Sequence, residues 1–240
     1  MNALAVVITM ACHALSPWSL TRAVILGSMA SLTQAEAFIR STGFALGESP
    51  YLVKGTAYVY HAEFVRTRLP GGEAAQRAAL GAVAEHPFWG LPKAPNDHYD
   101  LLPLVACGYA CADVTGMSME SFVALRSRHQ AEHDLTTLRR VLLSILTPKM
   151  VANRFPFLVQ SYFNFGTAAA EAMASGVRLS MSDLPRFLEP WIRSMCFGFM
   201  EFALESAGAK DVAKTSSYVP ADRHVDGVEV GSLHIEMVWL

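Results

Sequence analysis

The sequence predicts an α+β fold, in which a helical N-terminal part packs on a small four-stranded antiparallel sheet with a long buried helix between its two hairpins. Up to Gly166, apolar residues recur mostly every three or four positions, which is helical spacing. After Gly166 apolar and polar residues alternate, as in strands with one covered face. The two alternating regions flank residues 184–207, which are apolar almost all round near their centre, and such a helix is buried on every side.

Residues 1–48 are predicted to be an N-terminal extension, and residues 49–240 a single α+β domain. Residues 3–15 form an apolar run of signal-peptide length, but no lysine or arginine precedes it, and it is too short to span a membrane. A secreted form stays open as an alternative. Thr33 followed by Glu36 has the spacing of a capping box, which predicts a short helix.

The elements predicted between residues 49 and 116 are short. A strand at 51–55 precedes three helices, which begin at capping residues or end at glycine or proline. These helices are predicted at residues 56–69, 73–85 and 101–114, the first capped by Thr56 and the third by Asp100.

Two or three closely spaced helices are predicted for residues 118–166. Apolar positions line one face of the first, and most of its arginines are expected off that face: Arg126, Arg128, Arg139 and Arg140. The residue before Pro148 avoids helical geometry, so a new helix begins there, and Pro156 either kinks it or starts another.

Two hairpins enclose the long helix. Residues 167–173 are predicted to pair with 177–183, and residues 212–218 begin a second hairpin that turns at Asp226-Gly227. The last strand points Leu233 and its alternate neighbours to one face.

The composition excludes some classes of function. Hydrophobic residues make up 52% of the chain and charged residues 17%, against a usual charged share of about a quarter. The net charge of −2 gives no basic surface for nucleic acid. The four cysteines form no Cys-x-x-Cys pair, and Cys107 and Cys111 are interpreted as buried thiols, which suits a reducing cytoplasm.

His129-Gln130-Ala131-Glu132-His133 has the pattern of a metal site. On a helix the two histidines lie one turn apart, so their imidazoles can bind one ion. His-x-x-Glu-His is also the motif of inverted zinc proteases, in which the glutamate activates water. Glu201 or Glu205 is the expected third ligand. The alternative is a solvent-facing surface on which Arg128 pairs with Glu132.

The order of elements and several strings resemble a paralogous family of unknown function that is abundant in myxobacteria. The strings are Val53-Lys54-Gly55 before a helix, Tyr99-Asp100-Leu101-Leu102 before the next, and a closing strand near Trp239. That family is similar in turn to the 4-vinyl-reductase-like ligand-binding domain, to palmitate-holding subunits of vesicle-tethering complexes and to the haem nitric-oxide-binding domain. The resemblance implies a small apolar ligand, or haem, between helices and sheet.

The haem-binding branch of these relatives holds the propionates with a Tyr-x-Ser-x-Arg string. No such string occurs in this chain, because Val219 and Pro220 follow Tyr218 and the next arginine is Arg223. Eight histidines nevertheless offer axial ligands, so the cofactor stays unknown.

The predicted function is therefore a non-enzymatic small-molecule-binding or signalling module with an apolar pocket between the long helix and the sheet. Its candidate lining residues are Phe155, Tyr162, Met195, Phe199 and Met200. The same residues also suit a solid core or a homodimer interface. Two alternatives remain: a zinc-dependent hydrolase using His129, Glu132 and His133, or a structural assembly subunit that has no ligand and binds a partner protein.

Overall fold

The N-terminal part of the fold consists mainly of short helices. The computed structural model describes residues 32–142 and 146–240, with side chains described up to Asp134 and again from residue 146. The expectations for residues 1–31 lie outside the described residues. The elements are α1 (Gln34–Thr42), β1 (Leu52–Lys54), α2 (Thr56–Arg68), α3 (Gly72–Leu80), β2 (His98–Asp100) and α4 (Leu102–Thr115).

Three further helices fill the region between α4 and the sheet: α5 (Met119–Leu142), α6 (Pro148–Ala152) and α7 (Phe155–Tyr162). Pro148 and Pro156 each occupy the first turn of a helix, where their missing N–H group costs nothing. Of the two alternatives for Pro156, the structure therefore has a new helix. No helix in the described ranges is long and apolar enough to cross a membrane.

The C-terminal part is a four-stranded antiparallel sheet with strand order β3-β4-β6-β5. Its strands are β3 (Thr167–Met173), β4 (Gly176–Pro185), β5 (Ala213–Val225) and β6 (Val228–Val238), and α8 (Glu189–Ser206) connects the two hairpins. Both predicted hairpins are present, and Met173 pairs with Gly176 beside the first turn. Leu233 and Ile235 are buried, as the alternation predicts, so the predicted α+β class is confirmed.

The long helix α8 packs against α5 and against strands of the sheet. No residue between Glu189 and Leu204 is exposed, and half of them are buried, so this helix is covered on most of its surface. It approaches α5 closely at Gly198, where an added Cβ would lie 2.0 Å from the carbonyl oxygen of Ala124. The absence of a side chain at Gly198 therefore brings the two helices together.

Asp100 ties the N-terminal elements together. Its Oδ1 accepts a hydrogen bond of 2.9 Å from the Leu102 backbone N–H in the first turn of α4. The N-cap residue is Leu101 rather than the predicted Asp100. The Asp100 Oδ2 accepts a hydrogen bond of 2.7 Å from the Gly47 N–H, and the Ser49 hydroxyl donates a hydrogen bond to Oδ1. These bonds fix the chain before β1 to the start of α4.

Residues 33–48, which the sequence assigned to the extension, lie in one compact unit with the rest of the chain from Thr33 to Leu240. The capping box predicted at the start of α1 is present. The Thr33 hydroxyl accepts a hydrogen bond from the Glu36 N–H, and the Glu36 carboxylate accepts one from the Thr33 N–H. Phe38 of α1 stacks on Tyr109 of α4 at a ring-centroid distance of 5.2 Å.

Three details of the predicted elements are corrected: a capping residue, a missed strand and a helix boundary. Thr56 does not cap α2, because its hydroxyl donates to the Pro95 carbonyl at 2.7 Å and Gly55 is the N-cap residue. The strand β2, which pairs with β1, was not predicted. The long helix begins at Glu189 rather than near residue 184, because β4 continues to Pro185.

Candidate functional site

An apolar cavity of about 40 Å³ lies between α5, α7 and α8. The five residues predicted to line a pocket all line it. Its described lining is Gln130, Phe155, Leu158, Val159, Tyr162, Phe163, Met195, Cys196, Phe199 and Met200. None of these residues lies on a sheet strand, so the cavity lies among the helices and not between α8 and the sheet, where the sequence placed it. Whether a ligand binds there stays a prediction.

Helical spacing explains why these side chains converge. On α7 the lining residues from Phe155 to Tyr162 are separated by steps of three, one and three, so they share one face. Phe157, on the same helix but off that face, is 68% exposed. On α8 the lining residues from Met195 to Met200 follow the same rule. Together with Gln130 of α5, these two faces form the wall of the cavity.

One end of the cavity is polar, where Gln130 and Tyr162 lie. The Gln130 Nε2 donates to the Tyr162 hydroxyl at 3.1 Å, and that hydroxyl donates to the Asp134 Oδ2 at 2.9 Å. Burial, with the nearby Asp134 carboxylate, raises the pKa of Tyr162 above its usual value. The phenol therefore stays protonated and keeps donating at neutral pH.

Arg126 extends this polar chain into the core. Its Nη2 donates to the Gln130 Oε1 at 3.2 Å and its Nη1 to the Ala57 carbonyl at 3.3 Å. Only 3% of Arg126 is exposed, which corrects the expectation that it lies off the buried face. Burial lowers its pKa to about 10, so it remains charged at neutral pH. Its guanidinium also lies 5.8 Å from the Trp191 ring, a cation–π contact that offsets part of the desolvation cost.

A second, larger cleft of about 700 Å³ runs along α2 and α3. Charged side chains from both helices line it, among them Glu63, Arg66 and Arg77. His61 lies on its floor, where burial lowers its pKa to about 3, and its Nε2 is 2.6 Å from the Gln76 amide nitrogen. The His61 imidazole is therefore neutral at physiological pH.

The predicted metal ligands His129 and His133 lie together on α5, with ring centroids 4.6 Å apart. The residue that joins them is Glu63 of α2: one possible ligand atom from each of the three lies within 4.8 Å of the others. Burial, followed by the neighbouring His133, lowers the pKa of His129. Because a metal binds the neutral imidazole, this shift favours ligation.

The predicted third ligands are wrong. Glu205 pairs with Arg128 at 2.7 Å, and Glu201 pairs with Lys214 at 2.8 Å. The expected pair between Arg128 and Glu132 is not the contact that forms, because Arg128 reaches across to α8. Glu63 was missed because it lies on another helix far away in sequence, and no local spacing could indicate it.

Similarities to solved structures concern the fold. An Fe(II) unliganded H-NOX protein from K. algicida has a TM-score of 0.54 at 11% identity, covering 78% of this chain and 96% of that one. A mutant H-NOX protein from S. oneidensis in the Fe(II) state has a TM-score of 0.53 at 11% identity, covering 78% of this chain and 96% of that one. An oxygen-binding H-NOX domain related to soluble guanylate cyclases has a TM-score of 0.50 at 12% identity, covering 78% of this chain and 94% of that one.

No protein-family model and no curated protein matches the chain. At these identities the structural likeness concerns architecture alone. It confirms, at the level of the fold, the resemblance to the haem nitric-oxide-binding domain. The chain has the H-NOX fold.

Proposed function

We propose that the protein is a non-enzymatic sensory module that holds a small apolar molecule in the cavity between α5, α7 and α8. The observation that carries this proposal is the convergence of ten side chains on one cavity whose wall is almost wholly apolar. Its polar side chains, Gln130 and Tyr162, are bonded to each other. A site of this composition favours guests that make few hydrogen bonds.

The size of the cavity limits the guest. A single water needs about 10–15 Å³ by the same measure, so about 40 Å³ suits a molecule of a few heavy atoms. Met195 and Met200 line the wall, and methionine is unbranched and adapts its shape readily. A guest that displaces them acts on α8, which packs on both α5 and the sheet. Movement of α8 is the proposed signal.

Haem is the group that the H-NOX fold implies, and the cavity residues do not fit it. No histidine, lysine or arginine is among the described lining residues. Cys196 and Tyr162 belong to types that bind haem iron as anions. Burial raises the pKa of Cys196 to about 12 and that of Tyr162 above its usual value, so both stay protonated. A cavity of about 40 Å³ is also far too small for a porphyrin.

Xenon tests the proposal, because it enters small dry cavities without hydrogen bonding. We expect xenon NMR of the full chain to show saturable binding that Val159→Phe, which fills the cavity, abolishes. The matched control is Phe157→Ser on the exposed face of the same helix, which leaves binding unchanged. Binding that survives Val159→Phe would refute the site.

Titration with hemin tests the absence of haem. We expect no stoichiometric shift of the haem absorption band when hemin is added to the purified chain. A one-to-one complex that Val159→Phe abolishes would show that the cavity opens to a porphyrin and would overturn the proposal. If neither xenon nor hemin binds, the assembly subunit without ligand becomes the better hypothesis.

A further inference from the structure

Three possible metal ligands from two helices meet where α2 passes α5. The His133 Nε2 is 3.7 Å from the Glu63 Oε1, and a ring nitrogen of His129 completes a triangle with sides below 4.8 Å. In a tetrahedral site with bonds of about 2.0–2.2 Å, ligand atoms stand about 3.3–3.6 Å apart. Small rotations of the Glu63 and His133 side chains, which are partly exposed, close this difference.

We propose that Glu63, His129 and His133 bind one divalent metal ion of the zinc class, which links α2 to α5. Imidazole and carboxylate together are the ligands that zinc prefers among those present here. Three protein ligands leave a fourth position for water. The proposed metal site is separate from the cavity, since none of its three ligands lines the cavity.

The surroundings of His129 point to a ligand on its ring. Its Nε2 is buried and has no hydrogen-bond partner in the described part of the chain. Its Nδ1 faces the Glu132 carboxylate at 3.6 Å. Metal-binding histidines commonly direct their second nitrogen at a carboxylate, which fixes the tautomer and leaves the other nitrogen for the metal. Glu132 is therefore assigned a positioning role.

Packing holds the His129 ring in place before an ion arrives. The ring meets Phe64 edge to face at a centroid distance of 5.3 Å, and His133 contacts Tyr60 at 5.8 Å. Both aromatic residues belong to α2, so the helices that would share the ion are already in contact. A preorganised site loses little side-chain entropy on binding.

The proposed ion also has a structural consequence. His129 precedes Gln130, which lies at the polar end of the cavity, and His133 precedes Asp134. An ion between α2 and α5 restrains the turn of α5 that carries these groups. We expect metal binding to raise the thermal stability of the full chain.

The experiment is a calorimetric titration of Zn²⁺ into the untagged full chain after treatment with EDTA. We expect one equivalent to bind, and expect His133→Gln or Glu63→Gln to weaken binding at least tenfold. Both variants change partly exposed side chains, and their melting temperatures in EDTA should match the wild type. His98→Gln, at an exposed histidine outside the site, is the matched control and binds as the wild type does.

Substitution by Co²⁺ gives a second readout, because its visible spectrum reports four-coordinate geometry and nitrogen ligands. The proposal is overturned if the wild type binds Zn²⁺ no better than His133→Gln. It is also overturned if Glu63→Gln binds as tightly as the wild type, since Glu63 would then not be a ligand.

Discussion

The substitution Gly198→Ala tests the helix contact on which the cavity depends. The added Cβ would lie 2.0 Å from the Ala124 carbonyl oxygen and 2.7 Å from its carbonyl carbon. Carbon and oxygen atoms normally approach to about 3.3 Å. Because the obstacle is backbone, α5 and α8 must separate by about an ångström.

The expected free-energy change combines two opposed effects. Overpacking costs typically 1–3 kcal/mol, and an obstacle made of backbone belongs at the upper end, about 3 kcal/mol. Alanine is favoured over glycine inside a helix by about 1 kcal/mol. The net destabilisation is about 2 kcal/mol, which for a domain of this size lowers the melting temperature by about 4–8 °C.

Thermal unfolding followed by circular dichroism measures this change, with two glycines as graded controls. At Gly108 the added Cβ would lie 3.3 Å from a Val123 methyl group, which can move, so Gly108→Ala should be nearly neutral. At Gly90 it would meet nothing within 4 Å. If Gly198→Ala is as stable as the wild type, the two helices do not cross this closely and the cavity wall is misplaced.

Three further predictions concern buried polar groups and thiols. His61 has a pKa of about 3 in the folded chain and about 6.5 in the unfolded chain, so between these pH values only the unfolded chain binds a proton there. The free energy of unfolding should therefore fall by about 2 kcal/mol from pH 7 to pH 5. If the urea midpoint of His61→Gln falls as steeply over this range, the prediction is contradicted. Asp100→Ala removes the acceptor for Gly47, Ser49 and Leu102 and should cost about 3 kcal/mol in urea unfolding, whereas a loss below 1 kcal/mol would contradict the bonding described. Burial raises the pKa of Cys196 to about 12, so a thiol reagent at pH 8 should label it only after denaturant is added.

Local patterns in the sequence predicted most helices and both hairpins because each is governed by neighbouring residues. The capping box at Thr33 and the strand alternation around Leu233 are of this kind. The pairing of β1 with β2 joins two three-residue strands far apart in the chain, and so short a strand has no usable period.

In the candidate sites, too, the sequence predicted what local spacing governs and missed what depends on contacts between distant segments. Phe155 and Met200 could be predicted to line a pocket, because apolar side chains at helical spacing must face inward. Arg126 could not be predicted to lie in the core, because its burial depends on Gln130, Ala57 and Trp191 together. Glu63 is a similar case, since only the crossing of α2 and α5 brings it to His133.

The buried polar chain bears on which guest the proposed cavity would accept. Arg126 donates to Gln130, Gln130 donates to Tyr162, and Tyr162 donates its single proton to Asp134. A phenol has one O–H, so Tyr162 has no donor left for a guest. The Gln130 carboxamide uses one N–H for Tyr162 and one carbonyl lone pair for Arg126, which leaves one N–H and one lone pair. A guest with strong donors or acceptors would lose its hydrogen bonds to water and regain few, which costs about 1–3 kcal/mol for each group left unpaired. On the proposed function, the cavity therefore selects mainly by size and apolarity. Arg126 fixes the orientation of Gln130, so that a guest has one amide group at most with which to form a hydrogen bond.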